Sequence, residues 1–420
     1  GRYARQIVFL AEDVPPLGYK VYKIVTETKS PSSNSSEERD TDGYVIENEY
    51  YRVAIDPNTG AVTSLFDKEL GRELVDSEAP HGFGQLIVRE STTGKEHYVE
   101  EVRVKKGLNG PILKSIVVRG RAYGCPLVVR EITLYSKVKK IDFCYRILKD
   151  STPMLEVYIA FPFKMRNPSF KYEGPNIVVT PIEDQFPGSH TCYYPVQHWI
   201  NMYDNKGFGV TWSSPDAHLV ELGGLWPLGV SWAHHGVTPP KYPHENLRVS
   251  KFEKAYIYSF ILCNNFKTNF YTTQVGDLVL RYSITSHMGD WRTNISRNHG
   301  WSAANPLVPV FAEGGRRGRL PSKSYSFCEV DKPNVMITTI KPSEDDKGLV
   351  LRLVETSGRD TTVTIKLPFL GIEKAYVTNL VEEELKPVEV QGNQVTTTIK
   401  AFGIATLKLM VKASTSLSIE

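Results

Sequence analysis

Between Asp184 and Trp199 the chain reads DQFPGSHTCYYPVQHW, its densest run of side chains able to handle a polar ligand. Asp184, Gln185, His190, Tyr193, Tyr194, Gln197, His198 and Trp199 surround a Pro187-Gly188 turn. Aromatic faces beside amide and carboxylate groups suit a sugar, whose C–H faces stack while its hydroxyls need directional partners. Asp184, Gln185, Tyr193, Gln197 and His198 are the candidate substrate-binding residues. The plainer alternative makes Trp199 and Tyr194 core residues and His198 a hydrogen-bonding partner at a strand end. A more distant alternative is sugar isomerisation, with Glu183 or Asp184 and His190 or His198 as acid and base across an anomeric hydroxyl.

Other polar and aromatic clusters carry less. His234-His235 and His244 are the nearest approach to a metal-ligand set, but adjacent residues on a strand point to opposite faces, and Pro239, Pro240 and Pro243 read as a polar loop. Trp226 and Trp232 flank Pro227 and Gly229, and core packing is the favoured account. Trp291 and Trp301, with His287 and His299, read as a seal at the junction of two sandwiches rather than as a sugar platform. Glu156 interrupts an apolar strand, where alternation puts it opposite Leu155 and Val157, so it receives no catalytic role. No catalytic residue and no metal ligand is assigned to this chain.

The frame for these groups is read from period-two patterns. Ile141, Phe143, Tyr145 and Ile147 alternate with Asp142, Cys144 and Arg146, the signature of a half-buried strand. Leu155, Val157, Ile159, Phe161 and Phe163 share one face of another. Ser115–Ala122 and Pro126–Tyr135 are two more. Strands following one another closely, without amphipathic helices between them, imply antiparallel sheets packed face to face. The expected fold is all-β: a large antiparallel super-sandwich over 43–290 and a small C-terminal sandwich over 325–420. Residues 1–25 read as strand, turn and strand ending a small β domain. Residues 26–42 are a Ser-rich polar linker, and 291–324 a loop-rich connection.

Composition removes several function classes. A chain of 420 residues with 41% hydrophobic and 23% charged content is globular. The net charge of +3 comes with one short basic run, Gly314 to Arg319, read as a solvated turn, so nucleic-acid binding is not expected. Five scattered cysteines without C-x-x-C spacing argue against a disulfide framework and for a reducing cytoplasm. Sequons at Asn34 and Asn294 are short enough to arise by chance. No stretch approaches the roughly 18 apolar residues of a membrane helix. Apolar, strand-like residues begin at Gln6, so the chain reads as starting mid-protein.

The run from Asn48 to Leu74, NEYYRVAIDPNTGAVTSLFDKELGREL, resembles the start of the large β-domain of glycoside hydrolase family 38, the α-mannosidases. Lys341-Pro342-Ser343-Glu344-Asp345, then Gly348 to Glu355, resembles that family's terminal signature. Thr378-Asn379-Leu380-Val381-Glu382-Glu383 and Phe402 to Leu407 continue it. Val14-Pro15-Pro16-Leu17-Gly18-Tyr19 resembles the strand after the family's helical middle domain. The resemblance implies a galactose-mutarotase-like super-sandwich. It also implies a zinc-dependent catalytic domain N-terminal to this region, hydrolysing α-mannosides with retention. A retaining site needs two carboxylates about 5 Å apart, and the family's metal motifs do not occur here. Its β-domain loops reach back to the sugar pocket, which by resemblance assigns Asp184–Trp199 to one wall. Expected partners are the N-terminal catalytic domain of the same protein and a mannoside, with neither nucleic acid nor membrane. An uncovered domain interface would also favour homo-oligomers. The other readings are a freestanding carbohydrate-binding or structural sandwich and a mutarotase-like isomerase.

Overall fold

The computed structural model describes residues 7–25, 44–226, 249–264, 271–293, 295–312 and 320–413. Trp232, His234, His235, His244, the sequon residues Asn34 and Asn294, the linker 26–42 and the basic turn lie outside the described residues. The chain divides into two compact units, Glu37–Leu307 and Gly1–Ser36 with Val308–Glu420.

In the larger unit a nine-stranded sheet runs in the order Ile177–Val179, Ser169–Gly174, Ile200–Tyr203, Phe208–Ser213, Gly276–Met288, Val138–Lys149, Cys125–Tyr135, Leu113–Ala122 and Glu100–Asn109. A six-stranded sheet has the order Tyr194–Pro195, Leu219–Leu222, Lys254–Cys263, Leu155–Arg166, Gln85–Glu90 and Glu96–His97. The strand pairs in both are antiparallel. The alternating residues Ile141, Phe143, Tyr145 and Ile147 are fully buried and meet Val157, Ile159 and Phe161 of the other sheet in one core. The rings of Phe143 and Phe161 lie 5.8 Å apart, edge to face. Each such apolar side chain stabilises the fold by about 1.5–3 kcal/mol relative to exposure.

A smaller sheet, Val45–Glu47, Tyr51–Ile55, Val62–Asp67 and Arg72–Glu73, adds Tyr51, Val53 and Leu65 to that core. Its turns explain the run Asn48–Leu74. Asn48 Oδ1 accepts the Tyr50 and Tyr51 N–H groups, and Asp56 caps Asn58 and Thr59. Gly60 closes that turn at φ 72°, a conformation that strains other residues. Buried Asp67 is met by Lys139 at 2.9 Å and by the Ser286 hydroxyl at 2.5 Å.

The smaller unit pairs a five-stranded sheet (Val335–Pro342, Leu349–Glu355, Ile404–Ala413, Leu370–Thr378, Glu384–Val388) with a four-stranded one (Glu329–Val330, Thr361–Lys366, Gln394–Ile399, Val390–Gln391). Leu351, Leu353, Val363, Ile365, Leu407 and Leu409 fill the space between. The terminal signature residues tie its loops. Lys341 meets Glu344 and Glu382, Asp345 takes Lys408 at 2.8 Å, and Glu355 accepts N–H groups from Ser357, Gly358 and Phe402.

Two segments differ from their sequence pattern. Of the strand read at Tyr19–Val25 after a turn ending in Gly18, only Tyr19 and Lys20 are in strand, as Gly18–Lys20, which pairs with Ser324–Ser326. Gly18 is required there, because a Cβ would stand 3.0 Å or less from the Tyr325–Ser326 backbone. Within 291–324, read as loop-rich, Ile295–Ala304 is an α-helix. Its Gly300 lies against the backbone of His198 and the side chain of Trp199.

Candidate functional site

The segment 184–199 runs through turns to the edge strand Tyr194–Pro195 and then crosses toward Ile200–Tyr203 of the other sheet. Asp184 is exposed and its Oδ2 accepts the Thr180 N–H at 2.6 Å, a turn-capping role that holds its carboxyl below the usual range. Gln185 Oε1 accepts from Ile182 N at 2.7 Å and from the Tyr194 hydroxyl at 3.2 Å. Tyr193 is half-buried with its ring 4.9 Å from His190. Tyr194 and Trp199 are core residues, each 1% exposed.

His198 sits in a three-member cluster. Its Nδ1 lies 2.7 Å from Glu173 Oε2, while Trp301 Nε1 donates to Glu173 Oε1 at 2.8 Å. The His198 and Trp301 rings are 4.3 Å apart. Trp291 stacks on Trp199, and the helix hydroxyl of Ser296 meets Thr211. Glu173 thus anchors both the loop and the helix Ile295–Ala304. Gln197 Oε1 is buried and accepts no hydrogen bond among the described residues. No hydrogen bond joins Glu183 or Asp184 to His190 or His198 among the described residues.

A second polar constellation lies on the other face of the six-stranded sheet. Register builds it: Glu156 is directly opposite Arg89, Arg89 opposite Glu96, and Glu221 opposite Tyr258. Arg89 Nε and Nη2 donate to Glu156 Oε2 at 2.8 and 2.6 Å, Nη2 also to the Tyr158 hydroxyl, and Nη1 to the Trp226 carbonyl at 2.5 Å. The Trp226 N–H donates to Glu221 Oε2 at 2.8 Å. His81 bridges the Tyr258 hydroxyl (2.9 Å from Nδ1) and Glu96 Oε2 (3.0 Å from Nε2), and Tyr98 also donates to Glu96 Oε2. Glu96 can only accept, so in the neutral imidazole Nε2–H donates and Nδ1 accepts.

Burial pushes Glu221, 3% exposed, up to about 8 despite the Trp226 N–H and the nearby Arg89 charge. Burial thus favours its protonated form in the fold. Over this network opens a pocket of about 410 Å³ lined by His81, Arg89, Glu96, Leu225, Trp226 and Tyr258. Of these, only Trp226 stood out in the sequence. The missing signal was cross-strand: Glu156 and Arg89 lie far apart in sequence, and only the pairing register makes them neighbours. Among the described residues no group of three or more His, Cys, Asp or Glu side chains could hold a metal ion.

Residues 46–214 match the family model of the glycosyl hydrolases family 38 C-terminal domain, and residues 334–407 match that of the family 38 C-terminal beta sandwich domain. Together the matches take in more than half of the chain. No curated protein matches it. Among solved structures it is similar to an alpha-mannosidase from Enterococcus faecalis V583, at 14% identity and a TM-score of 0.60, covering 87% of this chain and 42% of that one. A family 38 protein from Enterococcus faecalis gives 14% identity and a TM-score of 0.63, covering 87% and 44%. These likenesses are of fold, and the chain spans less than half the length of either structure. A galactose mutarotase-like protein from Lactobacillus casei ATCC 334 aligns at 11% identity over 58% of this chain and 100% of that one, with a TM-score of 0.35, too loose to argue from.

Proposed function

Because the chain belongs to glycoside hydrolase family 38, as a C-terminal region of its members, we propose that it is the non-catalytic β-region of an α-mannosidase-type hydrolase. The observation that carries this reading is the pair of family matches, in order, one on each compact unit. In the complete protein a separate catalytic domain hydrolyses α-mannosides with retention, and zinc bound there supplies Lewis-acid and template chemistry. The present chain supports that domain and edges its sugar pocket with Asp184, Gln185, Tyr193, Gln197 and His198. The exposed Asp184 and the half-buried Tyr193, Gln197 and His198 side chains are the groups that this edge presents.

A docking role is supported by apolar side chains left in solvent. Ile7, Val8, Phe9, Val21, Ile24 and Val25 are exposed, as are Val308, Val310 and Phe311, the last at 92%. Scattered exposed apolar residues are ordinary, but such runs mark interaction surfaces. The occupant in this reading is the catalytic domain, and left uncovered the same residues favour self-association. Among the described residues no helix is long and apolar enough to cross a membrane. The five cysteines, scattered without C-x-x-C spacing, are the sequence feature behind a reducing, cytoplasmic setting in this reading.

Co-expression with the catalytic half of the parent tests the proposal. Co-purification that Phe9→Glu with Val25→Glu abolishes is the expected result. Failure of the wild-type chain to associate would sink it.

A further inference from the structure

We propose that the pocket over the second face of the six-stranded sheet, lined by His81, Arg89, Glu96, Trp226 and Tyr258, binds a neutral hexopyranose. No residue of the 184–199 segment lines it. Its dimensions suit one sugar ring: about 410 Å³ lies at the low end of small-molecule pockets. Its polar groups are fixed before a ligand arrives. His81 is held between Tyr258 and Glu96, and Arg89 is held by Glu156, Tyr158 and the Trp226 carbonyl. Binding therefore costs little side-chain ordering.

One hydrogen-bonding capacity is unspent. Glu96 Oε2 takes both the His81 and Tyr98 bonds, and Oε1 accepts none among the described residues. The Trp226 and Tyr258 side chains line the same pocket. A carboxylate acceptor beside aromatic side chains matches a sugar ring, whose hydroxyls donate and whose C–H faces stack.

Charge selects against anions. The Arg89 guanidinium is already neutralised by Glu156, and Glu96 leaves the mouth with an acceptor rather than a free cation. A sugar phosphate would face that carboxylate without a compensating charge.

The choice of probe rests on the mannosidase reading, but the pocket does not. Methyl α-D-mannopyranoside is titrated into the full chain without zinc, read by saturation-transfer NMR and calorimetry. We expect saturable binding with a dissociation constant of roughly 1 mM, a range ordinary for one sugar ring. Trp226→Ala and the near-isosteric Glu96→Gln each weaken it about tenfold, the worth of one good contact, while Phe186→Ala leaves it unchanged. Mannose 6-phosphate binds more weakly than the methyl glycoside. Absence of saturable binding by the wild-type chain, or binding indifferent to both Trp226→Ala and Glu96→Gln, overturns the proposal. Binding that survives while association with a catalytic half fails would discard the mannosidase reading and keep this one.

Discussion

Arg89 and Glu156 face each other across adjacent antiparallel strands, with two guanidinium nitrogens 2.8 and 2.6 Å from a single carboxylate oxygen. The pair is buried, at 6% and 1% exposure. Removing one partner strands the other charge in a low-dielectric layer. Glu156→Leu should cost about 3–5 kcal/mol, whereas Arg89→Met with Glu156→Leu should recover much of that loss. Urea denaturation of the three proteins checks it, and equal stability of single and double variants would contradict it.

Glu221 gives the fold a pH dependence of known sign. Its carboxyl is raised by burial from 4.5 to about 8, so the folded state holds the proton more tightly than the unfolded chain. Stability from this group is complete below pH 4.5 and is lost as pH rises toward 8. The slope is at most about 1.4 kcal/mol per pH unit. Glu221→Gln should gain on the wild type from pH 5 to pH 8 in chemical denaturation. Parallel stability profiles would show that Glu221 is ionised in the fold.

Glu355 behaves in the opposite sense. Burial alone would raise its pKa, but bonds from Ser357, Phe402 and Asn334 outweigh this and hold it at about 2. Its stabilisation is present above pH 4.5 and disappears as pH falls through 2. Glu355→Ala should cost about 3 kcal/mol, since several buried donors lose a charged acceptor. Acid denaturation monitored at the C-terminal sandwich should then flatten below pH 4.5.

What could be read in advance follows from local period. Ile141, Phe143, Tyr145 and Ile147 carry their burial in their own alternation, as does the Leu155–Phe163 face. Glu156 shows the limit: alternation places it on the second face, yet period cannot say that this face is buried too. Nor can it say that Arg89 stands opposite. The helix Ile295–Ala304, ISRNHGWSAA, has no apolar stripe and is fixed by tertiary contacts of Gly300, Ser296 and Trp301. Gly18–Lys20 finds its strand partner only at the far end of the chain.

Gly300 makes that helix contact testable. A Cβ there would stand 2.8 Å from the Trp199 Cβ and 2.9 Å from the His198 carbonyl oxygen. Gly300→Ala should destabilise the larger unit by about 1–3 kcal/mol through overpacking, despite alanine's better helix propensity. A thermal melt at or above the wild-type temperature would show the helix to be loosely seated.

In the complete enzyme, Gln197→Ala and Tyr193→Phe should raise KM for an aryl α-mannoside about 3- to 10-fold with kcat nearly unchanged, the pattern of lost uniform binding. Unchanged KM in both would remove the 184–199 segment from the pocket wall.

Hydrolysis of an aryl α-mannoside by the purified chain, with and without zinc, tests the central claim most directly. The account predicts no turnover in either condition, and turnover when the parent's catalytic half is supplied. Zinc-dependent hydrolysis by this chain alone would contradict it and point to Asp184, His190 and His198 as a catalytic site.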